Sequence, residues 1–165
     1  MTDIEHVERD LGAAGLRRTA PRVAVLATLR DQPGHRRVDE VVEAVRGRLG
    51  RVSTQAVYDV LGALEAAGLA RRVQPAGGAA RFEARTTDHH HAVCRECGAI
   101  ADIDGPRRPP TAVDLAGVPD GFVADHLELT LWGRCATCVA AGVTPHELPA
   151  NALPPTASTR STNHE

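Results

Sequence analysis

The first part of the chain, up to Gly68, repeats apolar residues at helical spacing between short polar breaks. Four segments carry apolar side chains three and four residues apart, which places them on one face of a helix. Thr19 and Ser53 stand where the second and fourth helices need an N-terminal cap, and Pro21 fits a first helical turn. The pattern predicts helices at about residues 2–14, 20–30, 38–49 and 54–67. Their apolar stripes consist of Ile4, Val7, Leu11, Val25, Leu26, Leu29, Val38, Val41, Val42, Val45, Leu49, Val57, Val60, Leu61 and Leu64.

After Gly68 the apolar period shortens to that of strands. Residues 69–74 and 79–83 flank a turn at Pro75–Gly78, which is typical of a hairpin. Helices followed by a hairpin indicate a winged helix-turn-helix, which we assign to residues 1–84. The hairpin is then the wing.

The remainder of the chain predicts a second, smaller α/β domain. Strands are expected at residues 92–93, 99–103 and 122–132, with a helix around 113–118. From residue 143 onward the chain is rich in Pro, Ser, Thr and Asn and has little to bury. We therefore expect an α+β chain with a winged-helix domain at 1–84, a hinge at 85–88, an α/β domain at 89–142 and a disordered tail at 143–165.

Composition limits where the protein acts and what it binds. No apolar run is as long as a membrane span and the N-terminus lacks a secretory signal pattern, so we expect a cytoplasmic protein without a membrane partner. The formal net charge of −2 divides unevenly, because residues 1–85 carry 14 Arg against 11 acids and residues 86–165 carry 5 against 10. Aromatic residues are 2% of the chain, which disfavours single-strand binding by base stacking. Duplex DNA is the better candidate.

Two C-x-x-C pairs, Cys94-Arg-Glu-Cys97 and Cys135-Ala-Thr-Cys138, are the strongest chemical signal. Each pair presents two thiolates to one ion, and two pairs complete a tetrahedral Cys₄ shell for Zn²⁺. Such a shell leaves no position for a substrate, so the zinc is expected to be structural. The alternatives are a thioredoxin-like redox pair or free thiols, and no βαβ pattern surrounds either pair.

A histidine run, His89-His90-His91, directly precedes the first cysteine pair. In a strand, His89 and His91 share a face and His90 points away. Glu83 lies on the wing side and Asp102 on the following strand, and both could complete a nitrogen and oxygen site suited to Fe²⁺, Mn²⁺, Ni²⁺ or Zn²⁺. The alternative is a solvated run of histidines.

The fourth helix and its basic surroundings are candidates for DNA contact. Ser53, Thr54 and Gln55 open an amphipathic helix whose polar residues can face phosphates and bases. An ordinary core helix would show the same pattern. The neighbouring arginines favour DNA, and they are Arg17, Arg18 and Arg22 before the helix and Arg71 and Arg72 on the wing.

Across residues 10–139 the order of these parts resembles the ferric uptake regulator (Fur) family. The resemblance is carried by Gly15-Leu-Arg-Arg-Thr-Ala-Pro-Arg22, Val57-Tyr-Asp-Val-Leu61, Arg81-Phe-Glu83, Asp88-His-His-His-Ala-Val-Cys-Arg-Glu-Cys-Gly98 and Gly133-Arg-Cys-Ala-Thr-Cys138. It implies a homodimer with a C-terminal dimerisation domain, bound to a near-palindromic double-stranded DNA operator, and neither an enzyme nor a binder of a small-molecule substrate. The ligands it implies are Cys94, Cys97, Cys135 and Cys138 for structural zinc, and His35, Glu83, His89, His91 and Asp102 for a regulatory metal.

Residues 53–68, 73–77 and 132–133 are most similar to the actinobacterial FurA/CatR branch, whose members repress catalase-type genes. Aspartate at Asp102 resembles the family's peroxide sensors, in which Fe²⁺ chemistry oxidises a histidine ligand, here His35 or His89. The resemblance also implies that Tyr58 contacts a base and Arg17 the minor groove.

Some positions depart from the family pattern. Pro109 replaces an acidic ligand, which argues against a third metal site at His90 and His126, and Asp59 replaces a frequent arginine. Three alternatives remain: a zinc hydrolase or deaminase, which would need an open zinc position; a zinc-ribbon or metal-storage module without DNA specificity; and a family member that senses nickel or zinc.

Overall fold

The computed structural model describes residues 2–75, 78–104, 121–123 and 128–142. Its helices are α1 (Ile4–Ala13), α2 (Ala20–Asp31), α3 (Val38–Leu49), α4 (Thr54–Ala66) and α5 (Ala136–Ala140). The four predicted helices are confirmed to within two residues at their starts. Helix α5 was not predicted, because its five residues are too few to display a helical period. None of the helices in these ranges has the length and apolar character needed to cross a bilayer.

Local chemistry explains where the helices start and stop. The Ser53 hydroxyl accepts a hydrogen bond from the backbone N–H of Ala56 at 3.1 Å, which satisfies a free donor in the first turn of α4. Thr19 occupies the N-cap of α2 without a side-chain bond, and a proline lies in that helix's first turn. Gly50 ends α3 with φ of 78°, a conformation that other residues rarely adopt.

Helices α1 to α4 enclose one apolar core. Its members are buried on the inner face of each helix, as the spacing predicts, and Phe82 joins them from the wing. Ile4 and Leu49 also lie on these apolar stripes, but they are 44% and 38% exposed. Each lies at a helix end and lines an open surface groove beside Val23 and Ala24 of α2, so its position on the apolar stripe does not bury it.

The wing belongs to a three-stranded antiparallel sheet. Strands β2 (Arg71–Val73) and β3 (Arg81–Glu83) form the predicted hairpin, and β1 (Arg36–Arg37) pairs with the other edge of β3. Strand β1 has two residues and no sequence period, so it was not predicted. It attaches the segment before α3 to the wing.

The second sheet contains β4 (His90–Cys94), β5 (Ile100–Ile103) and β6 (Thr130–Gly133), with β4 in the centre. Strand β5 runs antiparallel to β4, and β6 runs parallel to it. The prediction of a strand from residue 122 is wrong at its start, because residues 121–123 form no strand and Phe122 is 63% exposed. The helix expected at 113–118, the tail after 143, Pro109 and His126 lie outside the described residues.

Candidate metal centres

The four cysteines form a compact sulfur cluster. Cys94 ends β4 and Cys97 follows in the next turn, while Cys135 is the N-cap of α5 and Cys138 lies within that helix. The parallel pairing of β4 with β6 sets Cys94 opposite Gly133, which brings the second pair beside the first. All four Sγ atoms lie within 4.8 Å of one another.

Sulfur spacing fits a tetrahedral ion. The Sγ atoms of Cys97 and Cys135 are 3.7 Å apart. Zinc–sulfur bonds of about 2.3 Å at tetrahedral angles separate the sulfurs by about 3.8 Å. The cluster is therefore consistent with the structural zinc site that the sequence predicts, and nothing in its geometry favours a redox pair.

Backbone amides prepare two of the sulfurs to be thiolates. The pKa of Cys94 is lowered to about 6, because the N–H groups of Cys97 and Cys135 donate to its sulfur. The pKa of Cys135 is also lowered, chiefly by the N–H of Cys138. Hydrogen bonding to the Cys135 sulfur and burial raise the pKa of Cys138 to about 12. Four adjacent thiolates therefore require a cation to balance their charge.

A second cluster brings together histidine and carboxylate groups from both sheets. The ligand atoms of His35, Glu83, His89 and His91 lie within 4.8 Å of one another. Asp102 Oδ1 is 3.2 Å from His35 Nε2 and 3.8 Å from His89 Nε2. His35 precedes β1 and Glu83 ends β3, whereas His89 precedes β4, His91 lies within β4 and Asp102 lies in β5. The structure thus assembles all five residues proposed for the regulatory metal, and we call them the histidine cluster.

Buried polar atoms without hydrogen bonds converge on this cluster. Among the described residues, the buried side-chain atoms that have no partner are His35 Nε2, both carboxylate oxygens of Glu83, His89 Nε2, His91 Nε2 and one atom elsewhere, Thr28 Oγ1. Each such atom costs about 1–3 kcal/mol. Because the unpartnered nitrogens and oxygens of His35, Glu83, His89 and His91 lie close together, these residues fit a cation that would accept their lone pairs.

Distances in the histidine cluster also suit an ion. His89 Nε2 is 3.0 Å and His91 Nε2 is 3.7 Å from Glu83 Oε1, and neither nitrogen has a hydrogen-bond partner. Bonds of about 2.1 Å to a tetrahedral or octahedral ion separate neighbouring ligand atoms by about 3.0–3.4 Å. Nitrogen and oxygen donors suit Fe²⁺, Mn²⁺, Ni²⁺ or Zn²⁺.

The imidazoles of His89 and His91 are turned so that Nε2 can bind an ion. His89 Nδ1 lies 2.7 Å from the carbonyl oxygen of Thr87, and His91 Nδ1 lies 3.1 Å from Glu128 Oε1. Both oxygens are acceptors, so each Nδ1 carries the proton and donates it. Each Nε2 then presents its lone pair to the cluster.

Burial favours the neutral form of His35 and His91, which is the form that binds a metal. The pKa of His35 is lowered to about 4, mainly by burial and also by the neighbouring histidines, against the attraction of Asp102. Burial and His89 lower the pKa of His91. Burial and the negative charge of Asp102 raise the pKa of Glu83, against the attraction of His89 and Arg71.

Three residues that sequence reasoning missed support the cluster. Arg36 donates to the carbonyls of Gln32 and Pro33, each at 3.2 Å, and so holds the loop that carries His35. Arg85 Nη1 lies 3.1 Å from Asp102 Oδ2, which leaves Oδ1 facing the cluster. Glu128 orients His91. No spacing signal marks these residues, because each acts on a partner through a contact of the folded chain.

His90 takes no part in the histidine cluster. It is half-buried, and its Nδ1 accepts from the backbone N–H of Leu129 at 3.4 Å. The alternation of the three histidines along the strand is therefore as predicted.

Helix α4 presents a polar face to solvent. Ser53, Thr54, Gln55 and Tyr58 are exposed, Tyr58 by 50%, while the larger aliphatic residues of α4 are buried. Arg46 of α3, which sequence reasoning missed, donates to the Val52 carbonyl at 3.2 Å and holds the start of α4.

The predicted arginines differ in what they contact. Arg17 and Arg18 are exposed, and Arg22 donates to the carbonyl of Arg17 at 3.3 Å. Arg72 is exposed on the wing. Arg71, its neighbour on β2, is ion-paired with Glu128 at 3.1 Å and is 17% exposed. The contacts of these residues and of α4 with DNA stay predictions.

Comparisons with known proteins agree on one family. The sequence pattern described as the ferric uptake regulator family matches residues 13–113. Transcriptional regulator FurA of Mycobacterium tuberculosis is 47% identical over 142 residues, covering 84% of this chain and 93% of that protein. The peroxide operon regulator of Bacillus subtilis is 29% identical over 136 residues, covering 82% and 93%. The structure of the ferric uptake regulator from Pseudomonas aeruginosa with manganese is 28% identical, with a TM-score of 0.59, and covers 79% of this chain and 98% of that one. The chain therefore belongs to the ferric uptake regulator family of metal-dependent transcriptional regulators.

Proposed function

We propose that this protein is a repressor that binds a near-palindromic duplex DNA operator as a homodimer, with DNA binding controlled by Fe²⁺ or Mn²⁺ at the histidine cluster. The observation that carries the proposal is the origin of the ligands. His35 and Glu83 belong to the winged-helix part of the chain, whereas His89, His91 and Asp102 belong to the second sheet. Zn²⁺ at the cysteine cluster would stabilise the second part alone.

Ligand residues from two parts of a chain make metal affinity depend on how those parts are arranged. His35 is 3% exposed and lies 3.2 Å from Asp102, so the two parts touch at the cluster itself. A bound divalent ion supplies the positive charge that holds the nitrogens and carboxylates together. The wing and α4 are then fixed relative to the second sheet, which sets the spacing of two recognition helices in a dimer.

Two features favour iron and peroxide as the signal, and the resemblance to the FurA/CatR branch adds catalase-type genes as the targets. Asp102 occupies the carboxylate position near His35 and His89. The peroxide operon regulator of Bacillus subtilis is among the relatives. Peroxide would be the oxidant: with Fe²⁺ bound there to promote cleavage of the O–O bond, one oxygen atom of H₂O₂ would be inserted into an imidazole ring carbon and the other would leave as water. His35 and His89, which face the same point as Asp102, are the side chains placed to be oxidised.

A DNA-binding titration separates these possibilities. The zinc-loaded protein is titrated onto a duplex carrying a catalase-type operator, first alone and then with Mn²⁺ or, anaerobically, Fe²⁺. Each metal form is then treated with peroxide, and peptides containing His35 and His89 are examined by mass spectrometry. A scrambled duplex of equal length is the control.

The proposal expects metal to increase operator affinity and peroxide to release only the iron form, with oxidation of His35 or His89. If the iron form keeps its DNA after peroxide treatment and its histidines are unmodified, peroxide sensing is rejected. The protein would then sense the metal alone. Equal affinity for operator and scrambled duplex, unchanged by metal, would instead favour a zinc-ribbon module without DNA specificity.

A further inference from the structure

Glu128 makes two contacts that join separate parts of the protein. Its Oε1 lies 3.1 Å from His91 Nδ1, and its Oε2 lies 3.1 Å from Arg71 Nη2. His91 belongs to the histidine cluster, and Arg71 belongs to wing strand β2. One carboxylate therefore connects a metal ligand with the wing.

The contact to His91 fixes a ligand in a binding orientation. Because Glu128 accepts from Nδ1, the Nε2 lone pair of His91 is directed towards Glu83, 3.7 Å away. His89 achieves the same result through the backbone carbonyl of Thr87. The two histidines thus differ in their support: that of His89 is local, and that of His91 reaches across to the wing.

The contact to Arg71 withdraws this arginine from solvent. Its side chain is 17% exposed, whereas Arg72, the next residue on β2, is exposed and bonds to Gln74 within the wing at 2.5 Å. Arg71 is also the strand partner of Glu83, another member of the histidine cluster. The wing strand therefore reaches the cluster twice, through the backbone pairing at Glu83 and through the Arg71 side chain.

We propose that Arg71 and Glu128 are positioning residues that couple the histidine cluster to the wing, and that Arg71 serves the metal site rather than a DNA phosphate. The proposal rests on the metal-dependent function proposed above. A cation at His91 Nε2 makes Nδ1–H a stronger donor to Glu128, and the Arg71 guanidinium stabilises that carboxylate in place. Because such coupling is reciprocal, the ion pair between Arg71 and Glu128 raises metal affinity by the same factor by which bound metal favours formation of that ion pair.

The test is a double-mutant cycle on Mn²⁺ affinity, measured calorimetrically on zinc-loaded, full-length protein without DNA. The variants are Arg71→Ala, Glu128→Gln and the double mutant, with Arg72→Ala as the control of equal charge on the same strand. Glu128→Gln keeps an acceptor for His91 but loses the ion pair. Zinc content and circular dichroism verify that each variant is folded, and Arg71→Ala provides an independent reading if Glu128→Gln is not.

We expect Arg71→Ala and Glu128→Gln each to weaken Mn²⁺ binding about tenfold. The double mutant should match Glu128→Gln within about twofold, and Arg72→Ala should match wild type within the same margin. The coupling is overturned if Arg71→Ala behaves like Arg72→Ala, or if the two single effects multiply in the double mutant. Failure of wild type to bind Mn²⁺ would instead overturn the proposed function, so the two failures are distinguishable.

Discussion

The two metal clusters of this protein differ in where their ligands come from. The cysteine ligands lie between β4 and α5, all within the second part of the chain. The ligands of the histidine cluster span from the loop before β1 to β5 and so include the winged-helix part. The cysteine cluster is built within one part of the chain, whereas the histidine cluster joins the two sheets.

The donor chemistry matches this difference. Four sulfurs bind zinc tightly and leave no open position, which suits a site whose role is to hold a fold. Neutral imidazoles and carboxylates bind several divalent ions less tightly, and their affinity depends on how they are held. A regulator needs both: a permanent site to stabilise one part and a reversible site to position the other.

The largest expected effect comes from breaking the cysteine cluster. Cys135→Ser should abolish zinc retention and unfold the second part, because zinc–thiolate binding contributes about 10–16 kcal/mol to folding in small zinc domains. Zinc content, thermal melting and gel filtration measure the change. Thr137→Ser, within the same knuckle, is the matched control and should retain zinc. A folded, dimeric Cys135→Ser protein would contradict a structural role for this site.

Breaking the bridge at His35 should have a smaller and more selective effect. We expect His35→Ala to weaken Mn²⁺ binding by about 100-fold while zinc content stays unchanged, since only the histidine cluster loses a ligand. Isothermal titration of the zinc-loaded protein measures the Mn²⁺ affinity, and elemental analysis of the same samples measures the zinc content. His6→Ala is the control, because His6 is an exposed histidine of α1 that contacts Asp3. Equal Mn²⁺ affinity for the two variants would show that His35 is not a ligand of the regulatory metal.

Lowering the pH should reduce the stability that neutral, buried His35 contributes to the folded protein. Its pKa is lowered from 6.5 to about 4, so as pH falls the unfolded chain takes up the proton before the folded chain does. This group therefore contributes to stability less and less as pH drops from about 6.5 to 4. The free energy of unfolding of protein that carries zinc but no metal at the histidine cluster, compared with that of His35→Ala, should decline across this window. A difference that stays constant with pH would show that His35 is not buried in the neutral form.

The smallest expected effect concerns a contact between the wing and the cysteine cluster. Arg81 of β3 donates to the carbonyl of Gly98, beside Cys97, at 2.9 Å. Arg81→Ala should lower the free energy of unfolding by about 1.5 kcal/mol, as expected for a charged hydrogen bond. Denaturant unfolding measures it against Arg72→Ala, which should stay within about 0.5 kcal/mol of wild type. Equal stability of the two variants would mean that the wing contact at Gly98 contributes nothing.

The sequence predicts features whose signal is local. The helices follow from apolar spacing, the cysteine cluster follows from two C-x-x-C pairs, and the shared face of His89 and His91 follows from strand alternation. Strand β1 and helix α5 are too short for any period to reveal.

Other features depend on contacts between distant positions. His35 was assigned through family resemblance alone, because nothing in its neighbourhood marks it as a ligand. Arg85 and Glu128 could not be found, since their partners Asp102 and His91 are 17 and 37 residues away. The spacing of residues in the sequence therefore reveals ligands that lie in short motifs. It does not reveal the residues that connect such a site to the rest of the fold.

The most direct test of the account is the operator affinity of zinc-loaded protein with and without Mn²⁺, for wild type and His35→Ala. A bridging metal site predicts that Mn²⁺ increases the affinity of wild type by about 5–150-fold, the usual range of allosteric coupling, and leaves His35→Ala unchanged. The account would be contradicted if wild-type protein bound Mn²⁺ in the same solution but had the same operator affinity with and without Mn²⁺.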